Sequence, residues 1–158
     1  MDSKRELLRH AVATLAYRSR KVLREVPAGF DRYHASETTR TPAEILAHLA
    51  DLLDWAVATA QGRQVWKASE PAGWDGGVER FFAALAKFDE YLASDAELGA
   101  PEERLFQGPV ADALTHVGQL AMLRRMAGGV IRGENYFVAD IEVGRVGTDQ
   151  AVPHREFD

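Results

Sequence analysis

The chain has 158 residues, 46% of them hydrophobic and 27% charged, a balance suited to one domain with a buried core rather than to disorder. It contains no cysteine, which excludes disulfides, thiolate metal sites and a cysteine nucleophile. Its formal net charge is −5 and its pI is near 5.5. With no basic cluster interleaved with aromatics, a nucleic-acid partner is not expected.

The first predicted element starts at Ser3-Lys4-Arg5-Glu6, which has the form of a capping box. Leu8, Val12, Leu15, Ser19, Val22 and Val26 then recur at helical steps, so helix one is expected over about 4–25 and ends at Pro27-Ala28-Gly29. A polar loop leads to Thr41-Pro42-Ala43-Glu44, the clearest helix start in the chain: a cap, a proline at the first helical position and a glutamate at the third. Helix two is expected over about 42–61, with Ile45, Leu49, Leu52 and Ala56 on its apolar face. The stretch Arg63 to Gly73 reads as a crossing loop pinned by Trp66 and Trp74, because an indole left in water wastes apolar area.

Val78, Phe81, Phe82, Leu85, Phe88 and Leu92 mark helix three, over about 76–94. Helix four is expected over about 110–127, stopped by Gly128-Gly129. Residues 130–158 read as an irregular tail or short helix laid over the rest. Four amphipathic helices must bury their stripes against one another, so the expected fold is a single all-α domain, a four-helix bundle with the tail packed on it. Met1 to His10 lacks the apolar segment of a secretory signal, and no apolar run reaches transmembrane length. A soluble, cytoplasmic protein without a membrane partner is therefore expected.

Projection of helix two at about 100° per residue puts His48 between Leu52 and Trp55, on the inward side. Glu44, His48, Asp51 and Trp55 then form one strip. On helix four, Asp112 and His116 stack four residues apart, with Gln119 a turn further and Leu120 and Leu123 beside them. Burying an imidazole or a carboxylate without a partner costs several kcal/mol, so these groups call for a pair or a cation. Two histidines and a carboxylate are donors that zinc, nickel or iron(II) accept, and three protein ligands leave a position open. The rival reading makes them a core histidine and an ordinary i,i+4 hydrogen bond. Glu44 already has a capping role. Asp51 and Gln119 suit a supporting position beside the ligands. His10 projects to the surface, and His34 and His154 lie in loop and tail.

Two stretches resemble the DinB/YfiT-like superfamily of metal-dependent four-helix bundles. One is Thr41-Pro42-Ala43-Glu44-Ile45-Leu46-Ala47-His48-Leu49-Ala50-Asp51, followed by Trp55. The other is Asp112-Ala113-Leu114-Thr115-His116-Val117-Gly118-Gln119, followed by Leu123-Arg124-Arg125 and Gly128. The resemblance covers residues 1 to 130. It implies a bundle that is often a homodimer, with a divalent metal held by one histidine of the second helix and two of the fourth. By position His48 matches the first ligand and His116 the last. Asp112 stands where the common pattern has histidine, which alters affinity and metal preference or leaves the site vacant.

Zinc or nickel is the expected metal. The implied activity is a metal-dependent enzyme acting on a small molecule, of S-transferase or hydrolase type, with a low-molecular-weight thiol among the substrates. Catalytic residues stay unknown, with Asp51 and Gln119 expected to orient ligand or nucleophile, and the tail around Asn135 and Tyr136 expected to help close the pocket mouth. The alternative is a non-catalytic dimeric binding module that has lost or altered the site.

Overall fold

A computed structural model of the chain describes residues 2–158. It is an all-α bundle with an irregular C-terminal tail. Helix α1 spans Ser3–Leu23, α2 Pro42–Ala60, α3 Trp74–Ala93, α4 Glu102–Leu105 and α5 Ala111–Met126. Between α4 and α5 the chain winds through one wide π turn, Phe106–Val110. These three pieces form the fourth rod of the bundle, which therefore starts earlier than the expected 110–127. Pro109 inside the turn has no backbone N–H to donate, and a chain missing that donor accommodates a widened turn.

The caps follow from the sequence, with one correction. Helix α1 is capped by Asp2, whose carboxylate accepts from the Lys4 backbone N–H at 3.4 Å, rather than by the expected Ser3–Glu6 box; Ser3 is already the first helical residue. Helix α2 has the full box: Glu44 N–H donates to Thr41 Oγ1 at 3.2 Å and Thr41 N–H donates to Glu44 Oε2 at 2.7 Å. Helix α5 stops where Gly128 takes φ 83, a left-handed turn that a side chain would strain.

Helix α2 packs most extensively on α3 and also on α5, while α1 packs on both α3 and α5. The order around the bundle is thus α1, α3, α2, α5. Phe30, Phe81, Phe88, Leu15, Leu49, Leu85 and Leu120 fill the centre. The stripe read in α1 faces inward as expected, and even Ser19 is fully buried, its hydroxyl donating to the Leu15 carbonyl at 2.6 Å. Two arginines close helix ends with charge-assisted bonds. Arg124 donates to the carbonyls of Lys21 and Val22 in the last turn of α1 and of Arg24 and Glu25 just past it. Arg5 donates to those of Tyr91, Leu92 and Ala96 at the end of α3.

The tail is held by a two-residue antiparallel ladder, β1 (Gly133–Glu134) on β2 (Glu156–Phe157). The buried Glu134 carboxylate accepts from Tyr17 and from Lys21 Nζ at 2.7 Å, and Lys21 also reaches Glu156 at 3.0 Å. Tyr136 packs edge-on to Tyr17 and under the Arg18 guanidinium. Asn135 caps the short turn at Tyr136. The segment expected at the pocket mouth is instead tied to α1, because a carboxylate with two charged or hydroxyl donors outweighs any weaker docking of the tail elsewhere. Among the described residues, no helix is long and apolar enough to cross a membrane.

Candidate metal centre

Adjacency of α2 and α5 brings three predicted residues together. His48 Nε2 lies 3.7 Å from Asp112 Oδ2, and His116 Nε2 lies 3.4 Å from Asp112 Oδ1. The two imidazole rings stand perpendicular with centroids 4.7 Å apart. One donor atom from each residue lies within 4.8 Å of the other two. Tetrahedral coordination at about 2.0–2.2 Å separates donor atoms by roughly 3.3–3.6 Å. The donor set therefore fits a divalent ion after a small inward shift, and the group could hold one.

Local structure explains the convergence. Asp112 and His116 are one helical turn apart at the start of α5, so their side chains stack. A π turn adds a residue to the winding, which rotates everything after it by about 100° relative to an unbroken helix. The Phe106–Val110 turn therefore decides which face of α5 meets α2. Gly108 in that turn lies under Trp55, where an added Cβ would rest in van der Waals contact with the indole at 3.5 Å.

His116 and His48 are largely sheltered, with side chains 14% and 21% exposed, whereas Asp112 is 46% exposed. The site is thus roofed by imidazoles and opens on the carboxylate side. His48 is held below its usual pKa, first by burial, then by the neighbouring His116 and Arg40, against the opposing pull of Asp112. A neutral imidazole is the form that binds a metal. His116 Nδ1 lies 2.7 Å from Gln119 Oε1. With the proton on Nδ1, that bond orients the ring and leaves the Nε2 lone pair facing the site. Gln119 thus stands where a supporting residue was expected.

Asp51 does not. Its buried carboxylate accepts from the Ser69 backbone N–H at 2.9 Å and from Arg80 at 2.6 Å, and Arg80 also reaches Asp54 at 2.8 Å. The strip predicted on helix two therefore divides. Asp51, three residues beyond His48, falls on the side facing α3, where a guanidinium claims it. Glu44 is exposed and spent on its cap. His10, His34 and His154 are exposed, and His154 pairs with Asp140 at 2.6 Å. Asp51, Asp54, Trp55, Arg63, Lys67 and Arg80 are among the residues lining a separate cavity of about 380 Å³ beneath the crossing loop.

Sequence reasoning treated Trp66 only as a pin for that loop. Its indole stands edge-on to His48 with centroids 5.6 Å apart, and edge-on to Trp55 at 6.1 Å. Trp74, the other expected pin, donates its indole N–H to the Leu23 carbonyl at 3.2 Å and packs on Phe30. No periodicity could have flagged Trp66 as a neighbour of His48, because it sits in a loop whose path only the fold decides.

No protein-family model, curated protein or solved structure matches this chain.

Proposed function

We propose that this chain is a divalent-metal-binding bundle protein of the DinB/YfiT-like kind, an enzyme acting on a small molecule at a centre formed by His48, Asp112 and His116. The observation that carries the reading is the convergence of two imidazoles and one carboxylate, from two helices, within 4.8 Å of one another. Zinc or nickel suits two nitrogens and one oxygen, and three protein ligands leave a position for a substrate or water. A bound ion of this kind lowers the pKa of a thiol or water and supplies a nucleophile at neutral pH. His48 contributes a neutral nitrogen, Asp112 a negative charge on the open side, and Gln119 the orientation of His116. A low-molecular-weight thiol fits the proposed S-transfer chemistry, and the proposed working form is a cytoplasmic homodimer.

The test is elemental analysis of untagged protein purified with added zinc or nickel, repeated on His48→Ala. Near-stoichiometric metal in the parent and trace metal in the variant is the expected result. The same trace amounts in both would falsify the reading.

Asp112 favours a second reading. A half-exposed aspartate where the family pattern has histidine also suits a non-catalytic dimeric module whose metal site is lost. A thermal melt with and without EDTA separates the two: a ligand that binds only the folded chain at a hundred times its Kd stabilises by about 2.7 kcal/mol. That corresponds to a midpoint drop of several degrees on chelation, against none for the non-catalytic module.

A further inference from the structure

The loop joining α2 to α3 is tied at two points. Near its start, Gly62 is pressed against Gly99, where a Cβ on Gly99 would come within 2.2 Å of the Gly62 backbone. Gly99 N–H also donates to the Ala60 carbonyl at 2.7 Å. Near its end, Ser69 N–H is held by Asp51 at 2.9 Å. All of residues 61–68 between these ties are exposed. Trp66 belongs to that stretch and keeps 49% of its surface in water, yet its ring forms T-shaped pairs with both His48 and Trp55.

An indole offers a large rigid apolar surface at little entropic cost, so half of one left in water beside converging polar donors is unused binding area. Small-molecule sites have that make-up: mostly apolar walls with a few polar groups that fix orientation. Here the polar groups are the triad, and the wall is the ring series His48, Trp66, Trp55. That series runs from the triad to the edge of the cavity of about 380 Å³, which Trp55 helps to line.

We propose that Trp66 is a ligand-contacting residue of the triad's site, and that its exposed indole selects small molecules joining a metal-binding head to a flat apolar or aromatic body. The inference rests on the metal reading, since the head needs an ion held by His48, Asp112 and His116. A rival role makes Trp66 only a shield for His48, in which case its loss affects every ligand equally.

Acetohydroxamate and benzohydroxamate share a chelating head and differ only in methyl against phenyl, so they are suitable probes. Each is titrated into the full chain loaded with Co(II). Visible absorption of the ion reports both its uptake and the binding of each head. The parent should prefer the phenyl probe. That preference should fall by about three- to tenfold in Trp66→Ala and be largely kept in Trp66→Phe. Trp66 is half exposed and in a loop, so circular dichroism should show unchanged helix content in both variants. An unchanged preference in Trp66→Ala, with Co(II) still bound, overturns this inference alone. Failure of the parent to take up Co(II), nickel or zinc overturns the metal reading and this inference with it.

Discussion

Asp112 divides its carboxylate between two histidines, one oxygen 3.4 Å from His116 Nε2 on its own helix and the other 3.7 Å from His48 Nε2 on the neighbouring one. With the imidazole centroids 4.7 Å apart, the neighbouring His116 opposes a proton on His48, and Asp112 offers a negative charge to a cation between them. The cluster is electrostatically suited to one cation shared among three groups.

Metal affinity should therefore grade with the distance of each residue from the ion. Asp112→Ala and His116→Ala should each weaken zinc binding by well over tenfold, while Gln119→Leu, which only loosens the His116 ring, should weaken it by about tenfold and leave the stoichiometry at one. Competition against a chromophoric zinc indicator measures all three. Equal affinity for Gln119→Leu and the parent would show that His116 is oriented by packing alone.

Acid should weaken the metal-free protein through His48. Its pKa in the folded chain is lowered from 6.5, so the unfolded chain binds more protons at this ring. Stability then rises with pH across that window: the contribution is complete above 6.5 and is lost as the pH falls from 6.5 through the lower folded value. Urea midpoints at pH 7.5 and 5.5 should differ less in His48→Gln than in the parent. With metal bound the fall toward acid should steepen, because protons then compete with the ion.

Asp51 should matter for folding and not for metal. Asp51→Ala removes the carboxylate that holds Arg80 and leaves the Ser69 N–H without its acceptor, at a cost of about 1–3 kcal/mol. Denaturant melts should register that loss while elemental analysis finds the parent's metal content. Loss of metal at unchanged stability would return Asp51 to the site.

Arg124 should be a stability residue with no part in the chemistry. Its guanidinium serves four carbonyls where the chain leaves α1, and Arg124→Met strands them beside a side chain that cannot donate. A loss on the order of 3 kcal/mol is expected, that of a bond to a charged group. Arg124→Lys should recover only part of it, since one ammonium cannot reproduce the planar fork.

Much of the scaffold was legible because helix signals are local. The Thr41–Glu44 box, the stripe from Leu8 to Val22 and the stop at Gly128 each rest on groups a few residues apart. The candidate ligands were legible for the same reason, since a histidine among leucines on one face of α2 or α5 announces a polar group facing inward. Where local reading failed, a competitor lay outside its window. Arg80 drew Asp51 toward α3, and Tyr17 with Lys21 drew Glu134 and the tail onto α1; the cap of α1 was by contrast a local choice, which the adjacent Asp2 took from Ser3.

Periodicity and capping chemistry are enough to specify four helices, to turn His48 and His116 toward the interior and to stack Asp112 one turn before His116, because hydrogen bonds and side-chain stacking within a helix depend only on near neighbours. Whether those three groups meet depended on α2 packing beside α5 and on the wide turn at Phe106–Val110 that sets the rotation of α5. The same is true of Trp66 reaching His48 from an otherwise exposed loop. Such distances come from the burial of whole faces against one another, a summed effect of the entire core that no short stretch of chain encodes.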